Sequence, residues 1–464
     1  MAPMKSLKRL QLAGCLLVAV NFALIQLHSS TSLSHQPMQE TLTVAPVITN
    51  LPAVVGGKRF VETTTMTTAS STIATIAYVV SISACEKTEY FDPVQGAAVL
   101  QHSIHLNSLE NPSSGSKYGY KLYAIVHPDA AECSSRNLEA LGFEVLVRDI
   151  PVPLTEIKGD YLRNKLPSTG CCGEKEFVKL HAYNLTNHPA VVHIDLDALI
   201  LQPLDELFDA MLLNGPDAQQ ARNALPVQPG TTVPPTIDAY FARDYMGVYW
   251  GGSRPVGVHG GFFVLRPSLD AYNEFAAIIR EGNFTAENGW HGTGHGRFHG
   301  GETIQGILPY YYDERHPGTA VELNRCRYNV VADYPRDRSG KCIVGDEPCV
   351  DCRKANISDV KLAHFTYCQK PWLCHDLDGE VRFTLDDPND QSAERLCMEM
   401  QKEWFLMRKS LDESLAITDN SRISLAMGKF KAEQFQGYCR HRGKQGYIPF
   451  QFQVLSKPSL LANE

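Results

Sequence analysis

Two aspartates, Asp195 and Asp197, follow directly after a short apolar run at residues 191–194. Such a run is typical of a buried strand, so both carboxylates are predicted to lie where that strand ends. Side chains two residues apart point the same way on an extended backbone, so the pair can bind one hard divalent cation and leave positions open for a diphosphate. An Asp-x-Asp tripeptide is a weak signal on its own. Here a second apolar run, at residues 198–201, follows it, which is unusual for solvated surface acids.

The segment before Asp195 alternates between strand and helix patterns. The sequence predicts strands at residues 73–82, 118–126 and 143–147 and helices at residues 96–109, 130–141 and 175–185. This alternation predicts a parallel sheet with right-handed crossovers. Because ligands of such sheets bind at the carboxyl edge of the strands, the two aspartates lie where a site is expected.

The segment after Asp197 supplies further predicted elements of the same domain. A strand at residues 258–265, entered through glycines, precedes a helix at residues 269–280. Residues 214–235 are polar and proline-rich, which predicts an inserted loop. The stretch at residues 289–301 is rich in Gly and His and is predicted to be a loop that borders a ligand. Its three histidines recur every fourth residue, but the glycines between them disfavour a metal-binding helix.

Length and charge exclude some classes of protein. With 464 residues, of which 44% are hydrophobic and 20% charged, the chain has the composition of a globular protein and can hold one large domain with appendages or two ordinary domains. The net charge of −8 argues against a nucleic-acid-binding protein, which would need a basic face. Near the C-terminus an apolar stripe at helical spacing predicts a helix that packs on the domain. The stripe is formed by Leu396, Met400, Trp404, Met407 and Leu411.

The N-terminus has the pattern of a membrane signal anchor. Lys5, Lys8 and Arg9 precede an apolar segment at residues 10–27, which is near the minimum length for a membrane span. Positive charge on the short N-terminal side predicts that this end is cytosolic and that the rest is lumenal. A cleaved signal peptide is the alternative and gives the same compartment. We therefore expect a single-pass type II protein of the Golgi or another secretory-pathway membrane, with a flexible Ser/Thr-rich stem at residues 29–71.

The cysteines agree with an oxidising compartment. Of thirteen cysteines, one, Cys15, lies in the apolar segment, and many of the others cluster between Cys326 and Cys374. In a lumenal protein this cluster predicts disulfides in a loop-rich region. Cys349 and Cys352 could instead form half of a zinc site, but no second half follows within a compact module. Three Asn-x-Ser/Thr glycosylation acceptors are present, at Asn184, Asn283 and Asn356.

Four segments together resemble glycosyltransferase family 8, the glycogenin-like retaining enzymes, over roughly residues 73–372. They are similar to the family's Asp-x-Asp element, its upstream lysine-bearing helix, its glycine-led acceptor-side strand and its His-x-x-Gly-x-x-Lys-Pro-Trp signature. In this chain they are His193-Ile-Asp195-Leu-Asp197 with its apolar continuation, Phe177-Val-Lys179-Leu180, Gly260-Gly261-Phe-Phe-Val-Leu-Arg-Pro-Ser268, and His364-Phe-Thr-Tyr-Cys-Gln-Lys370-Pro-Trp372.

The resemblance implies a GT-A fold, a nucleotide-sugar donor that is expected to be UDP-linked, and a divalent metal that is typically Mn²⁺. It implies Asp195, Asp197 and His364 as metal ligands, and an imidazole beside two carboxylates shifts preference from Mg²⁺ towards Mn²⁺. It implies Lys370 as a catalytic residue whose charge offsets that of the leaving diphosphate. The residues implied in donor binding are Ser81, Ser83, Tyr90, Lys179, Asp195, Leu196, Asp197, Gly261, His364 and Lys370.

Two positions depart from the family pattern. Tyr367 stands where the signature has glycine, so the backbone approaches a phosphate less freely there. Where relatives have an Asp-Gln pair near the sugar, this chain has Ile304 and Gln305, so the carboxylate is lost. Gln305 and the nearby Glu302 are the remaining catalytic candidates at this point. Without an assured nucleophile we favour front-face transfer through an oxocarbenium-like state, and retention follows from the resemblance alone.

The sequence therefore predicts a lumenal, metal-dependent glycosyltransferase that transfers a hexose or related sugar to a glycan or glycoprotein. A non-catalytic glycan-binding protein of the same fold and a metal-dependent nucleotide-sugar hydrolase are the alternatives. The fold class is predicted as α/β, with a mixed sheet flanked by helices. The predicted regions are residues 1–28 (cytosolic tail and anchor), 29–71 (stem), 72–385 (GT-A domain) and 386–464 (helical extension).

Overall fold

The structure of the chain is a computed structural model. It describes residues 74–85, 93–170, 172–247, 255–337, 339–345, 347–373, 392–414, 439–440 and 445–450. The predicted membrane anchor, the predicted stem and Tyr90 lie outside these residues. No helix within the described ranges is long and apolar enough to cross a membrane.

A mixed sheet is the centre of the domain. The strands, in chain order, are β1 (Thr75–Ile82), β2 (Gly119–Val126), β3 (Glu144–Val147), β4 (Val191–Ile194), β5 (Ala198–Ile200), β6 (Ala239–Arg243), β7 (Val258–Leu265), β8 (Phe284–Thr285), β9 (Gly289–Trp290), β10 (Ala320–Glu322), β11 (Leu362–His364), β12 (Cys439–Arg440) and β13 (Gln445–Tyr447). Seven of these described strands form one sheet in the order β10-β6-β7-β4-β1-β2-β3. β1 is parallel to β2 and β4, whereas β7 is antiparallel to β4 and β6. The predicted mixed α/β sheet is confirmed.

Helices connect and cover the strands. The α-helices are α1 (Pro93–Leu106), α2 (Pro128–Ala140), α3 (Asp160–Lys165), α4 (Asp205–Leu212), α5 (Gly215–Ala224), α6 (Leu269–Glu281), α7 (Ile304–Tyr310) and α8 (Ser392–Ser414). The 3₁₀ segments are Pro112–Ser114, Leu154–Glu156, Leu166–Ser168, Gly173–Asn184, Cys352–Lys354, Ile357–Asp359 and Pro371–Leu373, and a π-helical turn spans Tyr311–Arg315. The helix predicted at residues 175–185 is thus present, but with 3₁₀ geometry.

Both faces of the sheet are buried. Along β1, Tyr78 and Val80 belong to the apolar cluster that includes residues of α1, α4 and α8. Ala77 and Val79 point to the other face, into the cluster that includes the Gly173–Asn184 segment, α6 and α7. A strand whose two faces are both covered has no polar alternation, which explains the nearly continuous apolar runs in the sequence.

The main error of the sequence interpretation lies in the polar segment at residues 214–235. It contains the helix α5, which begins with a proline in its first turn and is rich in Ala, Gln and Arg, all favourable helix formers. Only Ala218 of this helix is fully buried. Because the buried stripe is one small residue, the helix lacks the apolar periodicity that would have revealed it.

The cysteine-rich region is stabilised by disulfides, as predicted. Among the described residues, the bonds of this region are Cys326–Cys352, Cys342–Cys349 and Cys368–Cys397, and a fourth bond, Cys85–Cys133, lies outside it. Cys349 and Cys352 belong to different disulfides, which excludes the alternative of a shared zinc site. Cys368–Cys397 links the region to α8, whose Trp404 is fully buried near Trp372. The predicted apolar stripe therefore does pack on the domain.

Candidate metal and donor site

The Asp195–Asp197 turn lies at the carboxyl end of β4 and is fixed on two sides by backbone hydrogen bonds. The amide of Asp195 donates to the carbonyl of Gly261 on β7 (2.8 Å), and the amide of Phe365 donates to the carbonyl of Asp197 (2.8 Å). The intervening Leu196 carbonyl packs against α1 at Gly96, where a Cβ atom would lie only 2.3 Å away. The close approach of α1 thus requires glycine at position 96.

His364 completes a cluster of three potential metal ligands. It ends β11, which pairs antiparallel with β5 so that His364 lies opposite Ala198, the residue after Asp197. One ligand atom each from Asp195, Asp197 and His364 lies within 4.8 Å of the others. Residues that are 167 positions apart in the chain are thus brought to one point, with His364 Nε2 3.1 Å from Asp197 Oδ1.

The residues present fit a divalent cation. Two carboxylates and one imidazole are a suitable set for Mn²⁺. Gly261 forms the wall behind them, because a Cβ atom there would lie 2.1 Å from His364 Cε1 and 2.9 Å from Asp195 Oδ2. Only glycine therefore allows the aspartate and the histidine to converge. Gly261, which is predicted as a donor-site residue, thus shapes the metal site.

A lysine contacts each aspartate, but the two lysines differ in exposure. Lys179 Nζ lies 3.0 Å from Asp195 Oδ1 and 3.0 Å from Glu176 Oε2, and its side chain is 8% exposed. It also donates to the carbonyl of Gly260 (3.2 Å). Lys370 donates to Asp197 Oδ2 and keeps 31% of its side chain exposed. An incoming ligand can therefore reach Lys370, whereas the ammonium of Lys179 is already bound on three sides.

These contacts keep both aspartates ionised. Burial pushes the pKa of Asp197 upward, but His364 in its protonated form and Lys370 outweigh it, so the pKa lies below its usual range. For Asp195, Lys179 is the main group that outweighs burial, and its pKa is also lowered. The pKa of Lys179 is raised in turn, because Asp195 and Glu176 prevail over burial. The cluster thus presents two negative carboxylates, the form that binds a cation.

Sequence reasoning missed two residues that contact His364. Asn329 Oδ1 lies 2.7 Å from His364 Nδ1, and Thr366 Oγ1 lies 2.8 Å from His364 Nε2. Thr366 lies inside the segment that resembles the family's His-x-x-Gly-x-x-Lys-Pro-Trp signature, so the sequence indicates this region but not the residue. Asn329 lies 35 residues from His364, in a segment whose only sequence signal is the apolar pair that follows it.

Two of the predicted donor-binding residues, Ser81 and Ser83, lie at the end of β1. Ser81 Oγ is 2.9 Å from Nε2 of His193, whose ring stacks on Phe263 with centroids 4.7 Å apart. Burial, with the nearby Lys179 charge, lowers the pKa of His193 to about 3, so the ring is neutral. Ser83 follows β1 and is half-buried. Ser81 is thus oriented by a buried histidine one strand away.

Among the described residues, no hydrogen bond or ion pair joins the predicted catalytic candidates Gln305 and Glu302 to the cluster. Gln305 and Ile304 pack against Gly260, where a Cβ atom would lie 3.4 Å from Gln305 Cγ and 3.3 Å from Ile304 Cγ2. Glu302 is 6% exposed, and its Oε2 has no hydrogen-bond partner within the described part of the chain. Tyr367, which replaces the signature glycine, donates its hydroxyl to Asp244 Oδ1 (3.1 Å).

Comparisons with known proteins do not assign the chain to a family. No protein-family model matches it, and no curated protein matches it in sequence. Similar solved structures include mouse xyloside xylosyltransferase 1 in apo form (15% identity, 64% of this chain and 99% of that chain, TM-score 0.33). The galactosyltransferase LgtC in complex with donor and acceptor sugar analogues is 10% identical over 70% of this chain and 94% of that one, with a TM-score of 0.35. The apo glycosyltransferase GlyE of Streptococcus pneumoniae TIGR4 is 12% identical over 75% and 64%, with a TM-score of 0.37. TM-scores below 0.5 do not establish a family, so membership of family 8 stays a prediction.

A small polar cavity lies behind the metal-ligand cluster. It has a volume of about 10 Å³, roughly that needed for one water molecule. His259, Arg325 and Asn329 line it, and each has a buried side-chain nitrogen without a hydrogen-bond partner among the described residues. Burial, with the nearby His364, lowers the pKa of His259 to about 4. Buried unpaired polar atoms are costly, so their concentration beside His364 indicates a functional region.

Proposed function

We propose that the chain is a metal-dependent glycosyltransferase that uses a nucleotide-diphosphate sugar, expected to be UDP-linked, as donor. The acceptor would be a glycan or a glycoprotein. One observation carries the proposal: two ionised carboxylates and one imidazole converge within 4.8 Å at the carboxyl edge of a mixed sheet. In open α/β sheets this edge is where ligands bind.

Asp195, Asp197 and His364 would hold the cation. When bound, it would act as a Lewis acid that neutralises charge developing on the departing diphosphate. The chain's own contribution is to keep both carboxylates ionised, through Lys179 on one side and Lys370 on the other. Gly261 adds the space in which the three ligand side chains converge.

Lys370 and Lys179 would act differently. Lys370 is part-exposed and carries a positive charge beside Asp197, so it would stabilise negative charge on a phosphate oxygen as the bond to the sugar breaks. Lys179 is buried, and its ammonium binds Asp195, Glu176 and a backbone carbonyl. We therefore propose that Lys179 supports the donor site by fixing Asp195.

Transfer with retention is proposed to occur on the front face. Position 304 offers no carboxylate, because it is an isoleucine. Ile304 is fully buried and packs against Gly260. The carboxylate of Glu302 is the nearest in sequence, but no hydrogen bond or ion pair joins it to the cluster among the described residues. Gln305 packs at Gly260, one residue from Gly261, and would bind the sugar through its amide. A front-face route needs no nucleophile, which fits this set of side chains.

A lumenal, membrane-anchored location is part of the proposal. The four disulfides favour an oxidising compartment. The glycosylation acceptors Asn283 and Asn356 are exposed, as modified asparagines must be, whereas Oδ1 of Asn184 is buried. The predicted anchor lies outside the described residues.

The experiment begins with a search for the donor. Nucleotide sugars are screened against the full-length chain by Mn²⁺-dependent thermal shift, and nucleotide release is then measured with and without glycan acceptors. Acceptor-dependent release with a new glycosidic bond supports the proposal, and the anomeric configuration of the product tests retention. Release that does not need an acceptor would favour a hydrolase, and glycan binding without release would favour a non-catalytic protein.

A further inference from the structure

The side chain of Asn329 contacts His364 on the side of the ring that faces away from Asp197. Asn329 Oδ1 lies 2.7 Å from His364 Nδ1, and because an amide oxygen can only accept, this contact is a hydrogen bond only in the tautomer that carries a proton on Nδ1. Nε2 lies 3.1 Å from Asp197 Oδ1 and 2.8 Å from Thr366 Oγ1. The nitrogen that faces the aspartates is thus the one that can offer its lone pair to a cation.

Backbone contacts hold Asn329 in this position. The amide of His364 donates to the carbonyl of Val330 (2.9 Å), and the amide of Val330 donates to the carbonyl of Leu362 (2.9 Å). Asn329 itself has a φ of 56°, in the left-handed region, which asparagine tolerates better than most residues with a side chain. Asn329 as a whole is 3% exposed, so solvent does not compete for Oδ1.

A neutral imidazole has one proton, and here its two nitrogens face different acceptors. Without an acceptor at Nδ1, the carboxylate of Asp197 would draw the proton to Nε2, where it blocks a cation. The Asn329 carbonyl opposes that pull by binding the proton at Nδ1. The ring has little freedom to turn away, because it packs directly on Gly261.

We propose that Asn329 is a positioning residue that fixes the tautomer of His364 able to bind a divalent cation through Nε2. This inference rests on the metal site of the proposed function. Histidines that bind metals generally donate their other ring N–H to an oxygen, and loss of that oxygen weakens metal affinity about 10–100-fold.

Two substitutions separate the acceptor from the backbone conformation. Asn329→Gly keeps the left-handed conformation accessible and removes Oδ1, whereas Asn329→Asp keeps an oxygen acceptor. The matched control is Asn223→Gly, which removes an exposed asparagine of α5 whose Oδ1 accepts from Nε2 of Gln219. Binding of Mn²⁺ alone to the purified full-length chain is measured by electron paramagnetic resonance of the free ion. We expect about 10–100-fold weaker binding for Asn329→Gly, and binding close to wild type for the other two.

A second measurement reads the tautomer without any metal. Two-bond ¹H–¹⁵N NMR of the histidine-labelled full-length chain, in buffer at about pH 8, distinguishes protonated from unprotonated ring nitrogens. The His364 signals are identified by their loss in His364→Asn. We expect a proton on Nδ1 of His364 in the wild type, and an Nδ1 without a proton in Asn329→Gly.

The outcomes separate this inference from the proposed function. A wild-type Nδ1 without a proton overturns the inference, as does an Asn329→Gly variant that binds Mn²⁺ like the wild type. Equal loss of affinity in Asn329→Gly and Asn329→Asp also overturns it, because the acceptor would then not be what matters. If the wild type binds no Mn²⁺, the proposed function fails, and the NMR result alone decides the role of Asn329.

Discussion

Two clusters of buried charge lie close to each other, and they differ in how completely their polar atoms are paired. One is the metal-ligand cluster of Asp195, Asp197 and His364. The other, here called the Arg243 network, joins Arg243 to Glu322 and Asp313. Nε of Arg243 lies 3.0 Å from Glu322 Oε2, and Nη2 lies 2.8 Å from Asp313 Oδ1. In that network Nη1 of Arg243 donates to the carbonyl of Val256 (2.8 Å), so every arginine nitrogen has a partner.

The surroundings of the metal-ligand cluster are less satisfied. Side-chain nitrogens of His193, His259, Arg325 and Asn329 are buried without partners in the described part of the chain. No side-chain atom of Arg243, Glu322 or Asp313 has this property. A network that is complete by itself serves the fold, whereas one that leaves polar atoms unpaired is arranged for a ligand. The contrast predicts that substitutions in the metal-ligand cluster mainly lower transfer activity, whereas substitutions in the Arg243 network mainly lower stability.

The largest expected effect is on transfer, from Asp197→Asn. The variant loses a ligand carboxylate, and lost charge stabilisation of several kcal/mol corresponds to a reduction of about a thousandfold or more. Some stability should also be lost, because the lowered pKa of Asp197 means that its ionised form stabilises the folded protein at neutral pH, although water can solvate the freed charge of the part-exposed Lys370. Nucleotide release against Mn²⁺ concentration and the thermal unfolding midpoint check both statements. The matched control is Asp217→Asn, an exposed acid in the first turn of α5. Near-wild-type turnover at saturating donor would remove the metal from the mechanism.

Asp195 and Asp197 can be named as metal-ligand candidates from the sequence because their signal is local. An apolar run followed by two spaced acids needs no distant partner to be recognised. Judged from the tripeptide alone, Asp195→Ala would relieve repulsion between the two carboxylates and cost no stability. The structure shows that Asp195 is bound to buried Lys179, so its removal leaves a buried charge with one fewer partner and costs about 1.5–3 kcal/mol.

What the sequence does not predict depends on contacts between distant segments. Asn329 and His364 are separated by 35 residues, and Asn329 reaches the ring only because its neighbour Val330 pairs beside β11. Lys179 was recognised by its motif, but its burial depends on Glu176 and on β7. Helix α5 was missed for the opposite reason, since it buries too little apolar surface to leave a pattern.

The second prediction tests the Arg243 network, through stability. Arg243→Met removes the cation and leaves the carboxylates of Glu322 and Asp313 largely buried without it. We expect a loss of about 3 kcal/mol in the free energy of unfolding, measured by chemical denaturation, with kcat/KM of the folded fraction nearly unchanged. Arg243→Lys is the matched control. It should lose less free energy of unfolding, because it keeps the positive charge, but it should still lose some, because a lysine cannot contact Glu322 and Asp313 with the geometry of a guanidinium. If Arg243→Met abolishes transfer in a fully folded protein, the proposed division between the clusters is wrong.

The third prediction concerns Lys370, which contacts Asp197 of the metal-ligand cluster but is not a proposed ligand. In Lys370→Ala the cation should still bind, while charge on the leaving phosphate goes partly uncompensated. Loss of one charge-stabilising donor lowers turnover by about a hundredfold or more. Mn²⁺ affinity and kcat are measured separately, with Lys175→Ala, another part-exposed lysine paired to an aspartate, as the control. A parallel loss of Mn²⁺ affinity would show that Lys370 acts through Asp197 instead.

The smallest expected effect is a pH dependence of stability from Asp313. Burial raises the pKa of Asp313, but His295 and Arg243 outweigh it, so the pKa in the folded protein lies below the usual value. A carboxyl group with a lowered folded pKa stabilises the protein above the unfolded pKa of about 3.9, and this contribution is lost as the pH falls towards the folded pKa. Asp313→Asn should therefore cost stability at neutral pH, and the difference from wild type should shrink below about pH 4. Thermal midpoints of both proteins between about pH 3 and 7 measure it. In an Arg243→Met background the same substitution should change the pH profile less, since the carboxylate has lost its main cation. An equal pH effect in both backgrounds would mean that Arg243 does not hold Asp313 ionised, and the network would not be the self-contained unit that its geometry indicates.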